Sequence, residues 1–114
     1  MQVGTLRELL RNLQAFRAFY ETEGIDTITG PDGIDYCLWD IEHIYGQVGH
    51  LSQRQRQAIE LCLVSNVKEK QAALIMGVSI TNPVMMYATN GLKKLTEMID
   101  SGEIPRFRDQ VVAA

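Results

Sequence analysis

An all-α fold is predicted for this chain of 114 residues, with about five helices and a helix-turn-helix in the C-terminal half. Apolar residues recur at helical spacing in several segments, and residue types that commonly cap helices precede those segments. Short breaks that contain glycine or proline separate them. We therefore expect one compact domain, in which the helix-turn-helix packs on an N-terminal helical segment.

Two helices are expected in the first part of the chain. Thr5 and Glu8 have the spacing of a capping box, and the apolar positions after them predict a helix from about Leu6 to Tyr20. The stretch 24–33 contains three glycines and a proline, which predicts a loop that can include a short extended piece. A second helix is predicted from Ile34 to near Gly46, because apolar residues recur there at helical spacing.

The middle of the chain carries signals for two more helices. Ser52 and Gln55 have capping-box spacing in front of a helix that runs from Gln53 to about Val64. A short helix, capped by Asn66 and ending at Gly77, is expected next. Each of these boundaries is predicted from local residue types alone.

The last helix has the clearest predicted start. Asn82 is a favourable N-cap, and Pro83 fits the first helical position, where its missing N–H has no intrahelical partner. The helix is expected to end at Gly102. We assign residues 1–49 to an acidic N-terminal segment, 50–102 to the helix-turn-helix region and 103–114 to a C-terminal tail. The tail is expected to fray unless Ile104 and Phe107 pack against the rest of the domain.

Charge is unevenly distributed along the chain. The net charge is −3, but residues 1–49 carry −5, residues 50–95 carry +4 and residues 96–114 carry −2. A basic segment inside an acidic chain favours an anionic partner such as nucleic acid. The basic side chains of this segment are Arg54, Arg56, Lys68, Lys70, Lys93 and Lys94.

The centre of the basic segment has the spacing of a helix-turn-helix. Ala73 provides a small side chain where two helices would cross, and Gly77 provides the positive φ that the turn requires. Ala72, Met76 and Val78 fall at positions that would be buried against the second helix. We therefore expect a helix-turn-helix over about residues 69–89.

Three motifs occur together between residues 51 and 95. They are LSQRQRQAIELCLV, then KQAALIMGVS, then a final helix that ends in LKKL. In this combination the segment resembles the fourth conserved region of bacterial sigma factors. Small phage-encoded regulators with a sigma-like C-terminal half, including those of the ArpU type, share the size and the acidic N-terminal part. The resemblance implies a DNA-binding transcription regulator.

If the second helix of the motif enters a major groove, its outward side chains would contact base edges and the basic residues would contact phosphates. Met85 and Thr89 are expected on one outward stripe, next to the inward-facing Val84 and Ala88. The base-reading candidates are Thr81, Asn82, Met85, Met86, Thr89 and Asn90. The phosphate-contact candidates are Arg54, Arg56, Lys68, Lys70, Ser79, Lys93 and Lys94.

The sequence thus predicts sequence-specific binding of double-stranded DNA, which would regulate phage or mobile-element transcription in the cytoplasm of a bacterial host. RNA polymerase and a second copy of the chain are further candidate partners. One alternative is a DNA-packaging protein similar to a small terminase subunit. Another is a protein-only module that occupies the polymerase surface used by the host sigma factor.

Three apolar side chains bear on these alternatives. Leu74 and Ile75 are unusual in an isolated helix-turn-helix, and we expect the helices before residue 49 to cover them; a partner-facing patch is the alternative. Trp39 is expected to lie in the core.

Other classes of function find no support in the sequence. No apolar run approaches the roughly 20 residues of a membrane span, so no membrane partner is expected. Cys37, His43, His50 and Cys62 lack the spacing of a zinc motif, and no metal or other cofactor is expected. The cysteines fit a reduced cytoplasmic protein. No catalytic arrangement is readable, so the chain is not expected to be an enzyme.

Overall fold

The computed structural model describes residues 1–78 and 81–103, and for residues 81 and 82 it describes the backbone only. This part of the chain forms six α-helices and one small hairpin, which confirms the all-α class with one helix more than predicted. A 3₁₀ turn at Gln47–His50 and a π-helical turn at Glu60–Val64 complete the architecture. The elements are α1 Val3–Arg11, α2 Leu13–Glu23, β1 Thr27–Thr29, β2 Asp35–Cys37, α3 Leu38–Gly46, α4 Gln53–Ile59, α5 Glu69–Met76 and α6 Thr81–Asp100.

The predicted single helix over Leu6–Tyr20 is wrong, because Asn12 divides it into α1 and α2. The side-chain amide of Asn12 donates a hydrogen bond to the carbonyl oxygen of Glu8 at 2.8 Å, and its backbone leaves the helical region. Such side-chain bonds to the backbone compete with helix continuation. The start was also wrong, since α1 begins at Val3 and Thr5 lies buried inside it rather than capping it. Val3 packs against the core, which favours the longer helix.

Strand β2 occupies the start of the predicted second helix, whereas β1 lies in the predicted loop 24–33, which the sequence allowed to include a short extended piece. Ile28 pairs with Tyr36 across the two antiparallel strands, and Tyr36 is buried between two more exposed neighbours. This alternation is the side-chain pattern of a strand. Ile34 lies exposed in the turn, where Gly30 N–H donates to its carbonyl oxygen at 2.8 Å. The helix therefore begins at Leu38.

The expectation that Trp39 lies in the core is also wrong. Its side chain is 42% exposed and contacts Tyr20 of α2 edge-to-face, with ring centroids 5.3 Å apart. The buried positions at this end of α3 are taken by Tyr36 and Leu38 instead. The two aromatic rings therefore form an exposed pair between α2 and α3.

The capping box at the start of α4 is confirmed. Ser52 Oγ accepts a hydrogen bond from the Gln55 N–H at 3.2 Å, and Gln55 Oε1 accepts one from the Ser52 N–H at 3.3 Å. The helix continues beyond Ile59 as a π-helical turn, in which the Ser65 N–H donates to the Glu60 carbonyl at 2.8 Å. This wider ring accommodates one extra residue before the chain turns toward α5.

The start of α5 differs from the prediction, whereas its end agrees. Asn66 does not cap the helix: it has a φ of 53°, and the N-cap is Lys68. Gly77 ends the helix with a φ of 73°, as the sequence predicts. The Val78 N–H then donates to the Ala73 carbonyl at 2.9 Å, which satisfies a carbonyl at the helix end.

The long helix α6 begins two residues before Pro83, at Thr81. The prediction of Asn82 as N-cap is therefore wrong, because Asn82 already lies within the helical backbone. Pro83 remains within the first turn, where a missing N–H breaks no intrahelical bond. Predicted positions Ser79 and the tail from residue 104 onward lie outside the described residues.

Helix α6 packs against α1, α4 and α5 and joins the two parts of the chain in one continuous core. Its inward side chains are buried, and at Gly91 the helix meets α4 so closely that no side chain is accommodated without movement. The α-amino group of Met1 bonds to Asp100 Oδ1 at 2.6 Å, which joins the start of α1 to the end of α6. The buried residues on α6 include Val84, Ala88, Leu92 and Leu95.

Candidate nucleic-acid interface

Helix α5 ends at Met76 and α6 begins at Thr81, which is the spacing of the two helices of a helix-turn-helix. On α5, Ala72 and Met76 are buried as expected, and the small side chain of Ala73 is buried as well. Val78, which follows Gly77, is half-buried against the core. The predicted inward face of the motif is therefore confirmed on α5.

Arg54 holds the end of α5. Its Nη1 donates a hydrogen bond to the carbonyl oxygen of Met76, immediately before Gly77. A cation at a helix C-terminus satisfies a free carbonyl and interacts favourably with the helix dipole. This bond positions the turn, so the guanidinium of this phosphate-contact candidate is engaged within the protein. Arg56, two residues later on α4, is half-buried.

The prediction that Met85 and Thr89 form the outward stripe of α6 is wrong. Met85 and Thr89 are half-buried, because α1 packs along this side of the helix. Arg7 Nη2 of α1 donates to Thr89 Oγ1 at 3.0 Å. Met86 is instead 62% exposed, and Asn90 is exposed one turn later.

Three exposed side chains define the outer stripe of α6: Met86, Asn90 and Lys93. They recur at i, i+4 and i+7 and therefore share one face of the helix. Lys94 is exposed beside this stripe. The stripe thus combines one apolar, one amide and one cationic group. The backbone at Thr81 and Asn82 lies in the first turn of the same helix.

A solvent-open groove of about 850 Å³ lies at the beginning of α5. We call it the α5 groove. The side chains of Lys68 and Lys70 line it, together with Met85 from α6 and Cys62 from the π-helical turn. Arg11 from α1 also lines it, although the sequence assigned Arg11 to the acidic segment. No local signal identifies Arg11, since its approach depends on how α1 packs.

The expectation that earlier helices cover Leu74 and Ile75 is wrong. Leu74 is 80% exposed and Ile75 is 63% exposed on α5. The buried face of this helix is occupied by Ala72, Ala73 and Met76, which leaves these two side chains pointing outward. An apolar pair remains open to solvent on the first helix of the motif.

No family model, curated protein or solved structure matches this chain. The likeness of residues 51–95 to sigma factors therefore remains a likeness of sequence motifs.

No helix in the described ranges is long and apolar enough to cross a bilayer. Within the same ranges, no three side chains of the His, Cys, Asp or Glu types come together in a way that could hold a metal ion.

Three partly buried acids favour their protonated forms. Burial raises the pKa of the Cys62 thiol; the carboxylate of Glu69 raises it further, and the Arg11 guanidinium opposes the rise. Burial is also the main cause that raises the pKa of Cys37 and of Tyr45. All three groups are therefore neutral at physiological pH.

These shifts predict a loss of stability at alkaline pH. A raised pKa in the folded state contributes stability that is complete below the unfolded-state pKa and is lost as the pH rises through the folded-state pKa. We expect the stability advantage of the wild type over a Cys37→Ala/Cys62→Ala variant to shrink as the pH rises above about 8.5, the ordinary pKa of a cysteine thiol. Urea unfolding at several pH values measures it, and an advantage that stays constant would contradict the prediction.

Proposed function

We propose that this protein binds double-stranded DNA in a sequence-specific manner through α5 and α6 and regulates phage or mobile-element transcription. The observation that carries the proposal is the outer stripe of α6, which stays exposed on the helix that follows α5 and its left-handed Gly77. The surrounding segment, residues 50–95, carries a net charge of +4 in a chain of net charge −3. Such a distribution suits a partner with a phosphate backbone.

The outer stripe offers chemistry for both parts of a DNA contact. A major groove presents thymine methyl groups and the donor and acceptor edge of adenine. Met86 provides apolar contact for a thymine methyl group, and the side-chain amide of Asn90 can pair with the edge of adenine. Lys93 and Lys94 follow along α6 and would neutralise phosphates. Thr89, held by Arg7, would position α6 from within rather than contact bases.

Sequence reading is tested by replacing Met86 and Asn90 together with alanine. Each good base contact contributes about 1–3 kcal/mol, and neither side chain makes the strong bidentate contact of an arginine. At about 1 kcal/mol for each of the two contacts, we expect the preference for a selected duplex over a scrambled one to fall by about 30-fold. Affinity for the scrambled duplex is expected to change little. Competition binding at fixed salt, after selection of preferred sites from random DNA, measures both quantities.

Two control variants on the same helix sharpen this test. Lys93→Ala is expected to weaken binding to both duplexes alike, since a phosphate contact carries no sequence information. Glu97→Ala, also exposed, is expected not to weaken binding to either duplex. Equal losses for both duplexes in the Met86→Ala/Asn90→Ala variant would mean that α6 is not the reading helix.

A second candidate function is supported by the exposed pair Leu74 and Ile75. Apolar side chains exposed on a helix fit contact with another protein, and RNA polymerase is the partner that the sequence resemblance implies. A protein-only module would bind purified RNA polymerase without DNA and would bind no duplex at low salt. A Leu74→Ser/Ile75→Ser variant that loses polymerase binding would support this function.

A further inference from the structure

The α5 groove brings together cations from two distant parts of the chain. Arg11 belongs to α1, whereas Lys68 and Lys70 flank the start of α5. All three side chains are exposed, so they keep access to solvent and to a ligand. Arg11 Nη1 lies 3.4 Å from Glu8 Oε1 on the same helix. This long ion pair joins two exposed side chains and contributes little to stability.

The charge of the groove favours an anion. Glu69 is the one carboxylate among the side chains that line it, against three cations. No ion pair to Lys68 or Lys70 is formed within the described part of the chain. The first turn of α5 adds backbone N–H groups without intrahelical partners, and the helix dipole at this end attracts negative charge.

The position of the groove relates it to the proposed DNA contact. Met85 lines the groove, and the next residue, Met86, begins the outer stripe of α6. In the proposed complex, we expect a duplex whose major groove lies on the outer stripe to bring its phosphate backbone toward the α5 groove. The concave shape and the three cations suit a single phosphate group.

We propose that the α5 groove binds a backbone phosphate of the duplex and that Arg11, from the acidic N-terminal segment, is one of its phosphate-contact residues. This assignment rests on the proposed DNA binding and extends the interface beyond the helix-turn-helix to α1. Arg11 then tethers the two parts of the chain to the same ligand. The N-terminal segment becomes part of the binding surface.

The main test is the salt dependence of duplex binding by an Arg11→Gln variant. Loss of one phosphate contact is expected to reduce the slope of log K against log salt by about 0.9 and to weaken binding about 8-fold at 0.1 M salt. Arg11→Lys keeps the charge and is expected to restore most of the slope. Arg17→Gln removes the same charge at a residue that pairs with Glu42 of α3 at 2.7 Å, and its slope is expected to match the wild type.

A second measurement uses the wild-type chain and so does not depend on a variant that folds. Cys62 lines the groove whereas Cys37 does not, and both thiols are free. Saturating duplex is expected to slow alkylation of Cys62 at least tenfold and to leave Cys37 unchanged, as read by mass spectrometry.

The outcomes separate this assignment from the function on which it rests. A wild type that binds no duplex at low salt overturns both. A wild type that binds, combined with an Arg11→Gln slope equal to that of Arg17→Gln, overturns the assignment alone. Alkylation of Cys62 at the same rate with and without duplex also overturns the assignment of the α5 groove alone.

Discussion

Replacement of Gly91 by valine is expected to lower the free energy of unfolding by about 2–3 kcal/mol, because α4 and α6 touch at this glycine. A Cβ atom here would lie 2.8 Å from Ile59 Cδ1 and 3.2 Å from Gln55 Cβ. The end of the Ile59 side chain can move, but Gln55 Cβ is fixed to the backbone of α4. The helices must therefore separate to admit a branched side chain.

Urea unfolding followed by circular dichroism measures this effect. Gly91→Ala is expected to cost less than the valine variant, since alanine gains about 1 kcal/mol in helix propensity over glycine and partly offsets the clash. Gly4→Val is the matched control, because Gly4 lies in α1 with open space around its Cβ position. A Gly91→Val variant as stable as the wild type would show that α4 and α6 do not pack as described.

Removal of Lys93 and Lys94 together is expected to weaken duplex binding about 60-fold at 0.1 M salt. Each phosphate contact contributes about 0.9 to the slope of log K against log salt, and two contacts double this value. Both side chains are exposed on α6, so the alanine variant is expected to keep the fold and its melting temperature. The weakening should disappear as the salt concentration approaches about 1 M.

Fluorescence anisotropy with a labelled duplex at four or more salt concentrations gives the slope. A Lys93→Arg/Lys94→Arg variant keeps both charges and is expected to bind like the wild type. If the alanine variant shows the wild-type slope, these two lysines lie outside the interface, and the orientation proposed for α6 is wrong.

Two boundary signals that depend only on neighbouring residues were predicted correctly. The capping box of Ser52 and Gln55 forms as its spacing indicates, and Gly77 adopts the left-handed conformation that ends α5. Both signals rest on hydrogen bonds and backbone freedom within a few residues. Signals of the same kind at Thr5, Asn66 and Asn82 were wrong, because the helices there begin at other residues.

Where tertiary contacts decide, the sequence predicted less. The hairpin strand around Tyr36 replaced a segment with helical periodicity, because burial against the rest of the core outweighs local propensity. Thr89 faces α1 rather than solvent for the same reason. Arg11 lines the α5 groove only because α1 packs beside it, and the residues around Arg11 in the sequence do not indicate this contact.

The π-helical turn at Glu60–Val64 has an evolutionary consequence. A π-bulge holds one residue more than the α-helical turn it replaces, and the residues after it keep their positions. A relative with one residue fewer between Ile59 and Ser65 would therefore form a regular helix and still present the same start of α5. Aligned to this chain, its sequence would require a one-residue gap inside a helix rather than in a loop, where gaps are usually found.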